Sequence, residues 1–422
     1  MEVIAPSSTI VSDPCDAVAA SRARVRCCAD ALLVILFLAG LCAPLLGVQV
    51  RSHGWDIASR SENRKMADEP ALFGLHDSPS MSTRAKLRAI VKFPGQFKYY
   101  LSEHFGFRSL LIRAHGTLMV NGLGMSDSPA VVLGKEGWLY LANDNSVEDY
   151  RRSDPFTPEQ LAQWRSLLEA RHNFCAQRGI IYLFVVAPSK HDIYPEYMPD
   201  RLTRVGPECR LDQLLDSLHE SHSPVHVVDL RKDLLDAKSS GVRLYHKTDT
   251  HWNDRGGWIA YQSIMAQVRA GLPAAAGLKL DDFDAVATSQ PGMDLAGLLG
   301  LSDVVQEESL NLVPRIRLRL PHVAQGMVDP ITVQADGSSK PRVVVFRDSF
   351  LTAILPFVAE SFSRGVYLWE DGFDRTVIDA ERPDIVIQEI AQRKLMLPVA
   401  LMDKTQPVRL ENRAWQLNGP AR

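Results

Sequence analysis

The nonapeptide Tyr245-His246-Lys247-Thr248-Asp249-Thr250-His251-Trp252-Asn253 places a carboxylate two residues before an imidazole. In an extended or turning segment, residues i and i+2 project to the same side. Asp249 can therefore reach one ring nitrogen of His251 and leave the other nitrogen free. An aspartate and a histidine in this arrangement form the acid–base half of a serine-based acyl-transfer site.

A serine that can use this pair lies downstream, in Val343-Val344-Val345-Phe346-Arg347-Asp348-Ser349-Phe350. Ser349 falls where the β-branched run Val343–Val345 ends and a predicted helix, Leu351–Glu360, begins. Such a strand-to-helix turn exposes a nucleophile and lets its own N–H join an oxyanion hole. A serine hydroxyl needs a histidine to take its proton and a carboxylate to orient that histidine. We therefore predict Ser349 as nucleophile, His251 as general base and Asp249 as the orienting carboxylate.

Other interpretations of these residues remain open at this point. Asp249 and His251 are both metal-ligand types, but no nearby Cys/His/Glu cluster completes a tetrahedral set, so we expect no metal and no other cofactor. Asp348 and Ser349 are also favoured helix-capping residues. We interpret Asp348 as a cap or turn residue, because Asp249 is better placed to orient the histidine.

Strand and helix patterns alternate on both sides of these motifs. The helix predicted at 256–268 directly follows the nonapeptide, and the apolar run Ile180–Val186 suits a strand covered on both faces. Further strands are predicted at 225–228, 343–346, 365–368 and 384–390. This alternation predicts an α/β fold with a mainly parallel sheet and helices on both faces, in which sites collect beyond the carboxyl ends of the strands.

The best-marked helix start is Thr157-Pro158-Glu159-Gln160. Thr157 suits the cap, Pro158 the first helical position and Gln160 the third position of a capping box. Gly179 is a suitable terminator. Between about 272 and 341 the pattern weakens, and the alternating run Ile316–Leu320 predicts an insertion that carries a short strand pair. The whole domain is predicted to span 128–397, followed by a C-terminal tail at 398–422.

The N-terminal region carries a localisation signal. Residues 31–50 contain no charged side chain, and three arginines precede them, at positions 22, 24 and 26. We predict a single transmembrane anchor at 31–50, with 1–30 cytoplasmic and the remainder exported. A cleaved signal peptide and a lipoprotein anchor on Cys42 are the alternatives. Residues 51–127 are predicted to form a helical stem, which either packs on the catalytic domain or docks with a membrane partner.

Composition excludes several classes of protein. The chain has 422 residues, a hydrophobic fraction of 46% and a net charge of −3. So small a charge gives no indication of a nucleic-acid partner. Only two of the six cysteines, Cys175 and Cys209, lie beyond the first hydrophobic segment, so no disulfide framework is predicted.

The motifs resemble those of the SGNH-hydrolase-like periplasmic polysaccharide O-acetyltransferases, the group that includes the alginate acetylation proteins. The most specific part is Asp249-Thr250-His251-Trp252-Asn253 together with Asp348-Ser349-Phe350. The family usually has glycine two places before the serine, where this chain has Arg347. Other matching segments are Glu62–Lys65, Phe105–Arg108, Gly137–Tyr140, Pro188–Lys190, Tyr194–Tyr197 and Asp294–Ala296.

The resemblance implies a specific activity and specific partners. Ser349 would take an acetyl group and pass it to hydroxyls of an exported polysaccharide, in alginate-like exopolysaccharide biosynthesis. A multi-pass membrane O-acyltransferase would supply the acyl group, and the protein would sit in the inner membrane with its catalytic domain in the periplasm. A polysaccharide acetyl esterase with the same triad, or a non-catalytic glycan-binding scaffold, are the alternative functions.

Three further side chains are candidates for binding substrate. Lys190 follows a predicted strand end and would share the cleft with Ser349, Tyr245 lies in the nonapeptide, and Trp252 could stack on a sugar ring. Each also has a structural interpretation, as a surface residue or a core residue.

Overall fold

The chain divides into two compact units, Met1–His115 and Gly116–Arg422. The computed structural model describes residues 30–40, 42, 68–72, 82–103, 108–320, 323, 330–335 and 338–402. Helices and strands are numbered below in chain order, and the second unit contains all the strands of the described chain.

Most of the described part of the first unit is helical. Residues 30–40 and 42 are helical, and helix α1 spans Thr83–Glu103. Among the described residues, no helix combines the length and apolar character needed to cross a bilayer. Most of the predicted cytoplasmic segment at 1–30 and the second half of the predicted anchor at 31–50 lie outside the described residues. The stem predicted at 51–127 contains α1 and helix α2, Arg108–Thr117, and its boundaries stay predictions.

A six-stranded sheet organises the second unit. Its order is β4-β3-β10-β8-β9-β7, with β7 antiparallel to β9 and the other neighbours parallel. Its strands are β3 Ile181–Ala187, β4 His226–Asp229, β7 Ile331–Gln334, β8 Arg342–Arg347, β9 Arg364–Trp369 and β10 Ile385–Ala391. The predicted α/β fold with a mainly parallel sheet is therefore confirmed.

Both faces of this sheet are buried, which explains its continuous apolar runs. Along β3, Leu183 and Val185 join one hydrophobic cluster, whereas Phe184 and Val186 join the other. Helix α8, Asp254–Gly271, packs on the first face through residues such as Ile264. The opposite face is covered by α4, Pro158–Ala176, and α6, Arg210–Glu220. A period-two strand buried on both faces needs apolar side chains at every position.

Helices α3–α7 precede the nonapeptide or connect the first strands: α3 Ser146–Arg151, α4 Pro158–Ala176, α5 Lys190–Ile193, α6 Arg210–Glu220 and α7 Arg231–Lys238. The later helices are α8 Asp254–Gly271, α9 Asp294–Leu298, α10 Ser349–Thr352, α11 Leu355–Glu360, α12 Arg375–Glu381 and α13 Val399–Met402. The single helix predicted after Ser349 is thus two short helices. Of the predicted tail at 398–422, only 398–402 belongs to the described chain.

The predicted start of α4 is confirmed atom by atom. The N–H of Gln160 donates to Thr157 Oγ1 at 3.3 Å, and the N–H of Thr157 donates to Gln160 Oε1 at 3.0 Å. Gly179 follows the helix with a φ of 69°, a conformation that glycine adopts without strain.

Two strand pairs lie outside the main sheet. A short one joins β1 Val131–Leu133 to β2 Leu139–Leu141, and a longer one joins β5 Phe283–Pro291 to β6 Gln306–Pro314. The expected insertion does carry a strand pair, but the run that predicted it, Ile316–Leu320, follows β6 and forms no strand. Its alternation comes from Leu318, which is buried in the core between the exposed Arg317 and the partly buried Arg319.

The close packing of α8 against the nonapeptide gives the first testable prediction. A Cβ added at Gly256 would lie 2.1 Å from the Leu244 carbonyl oxygen. We expect Gly256→Ala to lower the free energy of unfolding by about 2 kcal/mol, because backbone must move. Gly95→Ala, where an added Cβ meets nothing within 4 Å, is the matched control. Equal urea-unfolding midpoints for Gly256→Ala and wild type would contradict this packing.

Candidate active site

Asp249, His251 and Ser349 form a continuous chain of hydrogen bonds. Asp249 Oδ1 lies 2.6 Å from His251 Nδ1, and His251 Nε2 lies 2.8 Å from Ser349 Oγ. Asp249 Oδ1 also accepts the backbone N–H of His251 at 2.9 Å. The structure therefore brings together all three residues that the sequence predicted as a triad.

Exposure and charge differ along this chain. Ser349 and His251 are partly exposed, whereas Asp249 is buried. Burial disfavours the charged forms of Asp249 and His251. The hydrogen bond between them and their opposite charges outweigh this effect. The pKa of Asp249 is therefore held well below its ordinary value, and the pKa of His251 is raised above its ordinary value. His251 is thus a stronger base than a free imidazole and faces the serine.

Backbone contacts close the loop that carries the acid and the base. Tyr245 and Trp252 form an isolated antiparallel bridge, and the N–H of Asn253 donates to the Leu244 carbonyl at 2.9 Å. Asn253 then caps α8, accepting the N–H groups of Arg255 and Gly256, each at 3.1 Å. The nonapeptide is therefore a narrow loop that ends in a fixed helix.

Two carboxylates from the insertion hold the sides of this loop. Glu307 on β6 accepts the Thr248 N–H at 2.8 Å and the Thr248 hydroxyl at 2.6 Å. Asp294 accepts the Thr250 N–H and the Thr250 hydroxyl, both at 2.9 Å. Burial of Glu307 would raise the pKa of its carboxyl group. Contacts with His246 and Thr248 outweigh burial and lower the pKa of Glu307 to about 2. The insertion thus fixes the backbone around Asp249.

Lys190 supports the same loop from the other side. Its ammonium donates to the carbonyl oxygens of His246, Lys247 and Asp249, at 3.0, 3.2 and 2.5 Å. The side chain is buried, and this burial lowers its pKa to about 7, against the opposing charge of Asp249. Lys190 is therefore a positioning residue, which corrects the prediction that it binds substrate.

The role of Lys190 can be tested by its removal. Lys190→Met loses three donors to the loop, so we expect kcat with an acetyl ester to fall by about 10- to 100-fold, with KM changed less than about threefold. Lys247→Met is the matched control, because its ammonium donates to Glu136 instead, at 3.1 Å. Unchanged kcat in Lys190→Met would show that the loop keeps its geometry without this lysine.

Tyr245 and Trp252 are also placed differently from the prediction. Both side chains belong to the main hydrophobic cluster and are almost completely buried. The Tyr245 hydroxyl donates to the Pro188 carbonyl at 2.7 Å, and Trp252 lies edge-on to Phe350, with ring centroids 4.9 Å apart. They support the site from within the core, so neither side chain has a surface on which a sugar ring could stack.

Asp348 anchors the turn that presents the nucleophile. Its carboxylate caps α10 by accepting the Phe350 N–H at 2.9 Å, accepts the Ala391 N–H at 2.7 Å and pairs with Lys394 at 3.0 Å. Its own N–H donates to Glu389 Oε2 at 3.0 Å. Burial and the nearby Asp348 charge raise the pKa of Glu389 well above its ordinary value. The expected capping role of Asp348 is accordingly part of a larger network.

Stability should depend strongly on Asp348. Burial would raise the pKa of Asp348, but the charges of Lys394 and Arg393 outweigh burial and lower this pKa. Ionised Asp348 therefore stabilises the fold fully above the ordinary carboxyl pKa of 3.8, and this stabilisation is lost at lower pH. At pH 7 we expect Asp348→Ala to lower the free energy of unfolding in urea by about 3 kcal/mol, because it leaves buried donors unpaired. Asp379→Ala, at an exposed pair with Arg178, should cost less than about 1 kcal/mol. Equal losses in the two variants would contradict the network.

Arg347, which stands where the family usually has glycine, is fully buried behind the nucleophile. Its guanidinium lies 4.8 Å from the centroid of the Trp369 ring and donates to Thr352 Oγ1 at 2.9 Å. It therefore ties the end of α10 to the strand layer. The strand-to-helix turn keeps Ser349 partly exposed with an arginine at position 347.

Asp249, His251 and Asp294 are also the residues that could hold a metal ion, since their ligand atoms lie within 4.8 Å of one another. Side-chain atoms of these three residues already form the hydrogen bonds between Asp249 and His251 and from Thr250 to Asp294. An ion would compete with these bonds. Absence of a metal therefore stays a prediction, to be tested with a chelator.

The cavity next to these residues is small. It has a volume of about 10 Å³ and is lined partly by Lys190, His191, Thr250, Phe350 and Arg393. A space of this size holds one water molecule, far less than a sugar ring occupies. Ser349 and His251 themselves are partly exposed, so the triad is open to solvent outside this cavity.

The family of the chain follows from a direct comparison with known proteins. Residues 131–350, just over half of the chain, match the family model described as SGNH hydrolase-like domain, acetyltransferase AlgX. The chain belongs to this family. The resemblance predicted from the motifs is confirmed, and the matched range of the SGNH-like family ends one residue after Ser349.

Curated relatives carry the name probable alginate O-acetylase AlgJ. The protein of Pseudomonas syringae pv. tomato is 25% identical over 223 residues, which cover 52% of this chain and 51% of the relative. The protein of Pseudomonas aeruginosa is 29% identical over 143 residues, or 33% of this chain and 34% of the relative. The chain therefore aligns with about half of the first relative and a third of the second.

Solved structures show a more distant likeness. Bacillus cereus PatB1 with a sulfonyl adduct is 16% identical, with a TM-score of 0.47 over 65% of this chain and 98% of that chain. The O-acetyltransferase domain of Pseudomonas putida AlgJ is 17% identical, with a TM-score of 0.40 over 64% and 93%.

Sequence reasoning missed the roles of three residues of the site. Glu307 lies in an irregular insertion, and no local pattern distinguishes it from the neighbouring Glu308. Asp294 was part of a matching family segment, but its role depends on a contact with Thr250 that spacing does not reveal. Glu389 could have been suspected, because an acid within a continuous apolar strand needs a partner.

Proposed function

We propose that this protein is an O-acetyltransferase that moves an acetyl group, through a serine acyl-enzyme, to hydroxyls of an exported polysaccharide. The observation that carries the proposal is the 2.8 Å contact between His251 Nε2 and Ser349 Oγ, backed by the 2.6 Å contact of Asp249 with Nδ1. Family membership supports acetyl transfer, and the names of the curated relatives support a polysaccharide acceptor of the alginate type.

The first step would form the acyl-enzyme. Ser349 Oγ attacks the carbonyl carbon of the acetyl donor as its proton passes to His251 Nε2. The tetrahedral intermediate collapses, the bond to the leaving group breaks, and the leaving group takes the proton from His251. Asp249 stabilises the imidazolium that exists between these events.

The oxyanion of this intermediate needs hydrogen-bond donors near Ser349. The N–H of Phe350 is already donated to Asp348, at 2.9 Å, so it is not one of them. The Ser349 N–H, at the first residue of α10, is the donor we assign from the chain itself.

The second step would return the site to its starting state. A sugar hydroxyl gives its proton to His251 Nε2 as its oxygen attacks the acetyl carbon. The bond to Ser349 Oγ then breaks, and Oγ recovers the proton. The product is a sugar acetyl ester, and the same chemistry with water would make the protein an esterase.

The proposal includes a place in the cell and a partner. Residues 31–50 would anchor the chain in the inner membrane with the catalytic domain in the periplasm, and a multi-pass membrane O-acyltransferase would deliver the acetyl group. Both rest on the sequence of the N-terminal region and on the family resemblance. Acidic or neutral glycans, not nucleic acids, are the expected acceptors.

The test uses the full chain in detergent with a chromogenic acetyl ester and alginate-derived oligosaccharides. We expect release of the chromophore, a mass increase of one acetyl group on Ser349, and acetylated oligosaccharide. Acetate without acetylated sugar would identify an esterase. No turnover above the Ser349→Ala background would overturn the enzyme and favour a scaffold. Loss of turnover on addition of a chelator would instead favour a metal at Asp249, His251 and Asp294.

A further inference from the structure

Helix α1 carries a stripe of apolar residues that are exposed. Leu87, Ile90, Val91 and Leu101 follow the i, i+3, i+4 and i+14 spacing of one helix face. Their side chains are between 51% and 77% exposed, with Val91 the most exposed. Pro94, also exposed, lies on the same face. Exposed large apolar residues grouped on one helix face mark an interaction surface.

The opposite face of α1 is the one that packs inward. Ala89 is buried, and Phe93, Gln96 and Tyr100 are partly buried. Gln96 Oε1 accepts the Ala71 N–H at 3.3 Å. The helix thus already has a packed face, and the stripe is a second apolar surface on the far side.

Basic residues border this stripe on both edges. At about 3.6 residues per turn, Arg84 and Arg88 lie along one edge, Lys86 lies along the other, and Lys98 lies within the stripe. No acidic residue occurs in α1 before Glu103. Helix α1 has five basic residues, Arg84, Lys86, Arg88, Lys92 and Lys98. None of their side chains forms an ion pair with a described residue.

We propose that α1 lies on an anionic lipid bilayer, with Leu87, Ile90, Val91 and Leu101 inserted at the interface and the basic residues contacting lipid headgroups. An apolar stripe between basic borders is the pattern of a helix that lies in the plane of a membrane surface. This role is independent of the chemistry at Ser349.

A bilayer fits this surface better than a second copy of the chain. A symmetric contact would place the same five basic side chains against each other, and like charges in contact repel. Anionic headgroups neutralise those charges while the acyl region accepts the apolar side chains. An acidic protein partner would satisfy the charges too, and the experiment separates it from lipid.

The experiment places a spin label on the stripe of the full-length protein. The chain carries Val91→Cys, with Cys15, Cys27, Cys28 and Cys42 replaced by serine, and is reconstituted in nanodiscs. Cys175 and Cys209 stay, because they are buried. A second protein carries the label at Val205→Cys, an exposed site in the other unit. Collision rates are measured with oxygen, which concentrates in lipid, and with a water-soluble nickel chelate.

In nanodiscs of phosphatidylglycerol and phosphatidylcholine, we expect the Val91 label to be accessible to oxygen and protected from the chelate, and the Val205 label to show the reverse. In phosphatidylcholine alone, the protection at Val91 should weaken. A Val91 label that meets the chelate as freely as the Val205 label in both lipids overturns the proposal. Protection from the chelate without raised accessibility to oxygen also overturns it, in favour of a protein contact.

Charge variants test the headgroup contacts. Changing one of these basic residues to glutamine removes one positive charge from α1. Each such change should lower the ratio of lipid-bound to free helix by about fivefold. The matched control changes Lys86, Lys92 and Lys98 to arginine, which keeps the charge and should keep the protection. Far-UV circular dichroism and the midpoint of urea unfolding report that each variant is folded. Equal protection in the glutamine and arginine variants would overturn the role of charge.

Discussion

Ser349→Ala and His251→Ala should each reduce turnover of a chromogenic acetyl ester by about 10⁴-fold, and Ser349→Ala should also abolish the acetyl adduct. The reason is that the two groups act as a unit: without His251 the hydroxyl keeps its proton, and without Ser349 no acyl-enzyme forms. The double variant should lose no more activity than either single variant. Initial rates and intact-protein mass spectrometry measure both effects.

Ser239→Ala provides the matched control for this experiment. Ser239 lies at the end of α7, where its hydroxyl donates to the Asp236 carbonyl at 2.6 Å, so its loss should leave turnover unchanged. Additive losses in the double variant, or an adduct that remains in Ser349→Ala, would show that the acetyl group is carried elsewhere.

Asp249→Asn should lower the plateau of kcat/KM by about 10⁴-fold and also move the acid side of the pH profile. Activity requires neutral His251. Burial lowers the pKa of His251, but the hydrogen bond and charge of Asp249 outweigh it and raise the pKa above the ordinary value of 6.5. Activity of the wild type should therefore fall as the pH drops through a value above 6.5. Without the carboxylate, the fall should occur at lower pH.

The pH profile separates an electrostatic role of Asp249 from a purely structural one. A structural defect lowers the plateau of kcat/KM and leaves the midpoint of the pH profile unchanged. Loss of the carboxylate shifts this midpoint to lower pH. Asp379→Asn, at an exposed ion pair with Arg178, removes the same charge far along the chain and should change neither quantity. An Asp249→Asn profile with the wild-type midpoint would contradict the proposed pairing with His251.

Local sequence patterns predicted the sheet because its strands are buried on both faces. An apolar run such as Ile180–Val186 can be stable only where both sides are covered, so the run itself implies the parallel sheet. The capping box at Thr157 was predictable for a similar reason, since its hydrogen bonds span only three residues. The strand pair of the insertion was misplaced to Ile316–Leu320, because one buried leucine among arginines imitates a strand over so short a run.

The sequence by itself determined which residue types could form the triad, since Asp249 and His251 are close in the chain and Ser349 ends a strand. Only the tertiary structure decided what surrounds them. Lys190, Glu307 and Asp294 reach the loop from three separate elements, and Tyr245 and Trp252 are enclosed by the core. Such contacts join residues far apart in the chain, and they depend on how strands and helices pack, which no local pattern encodes.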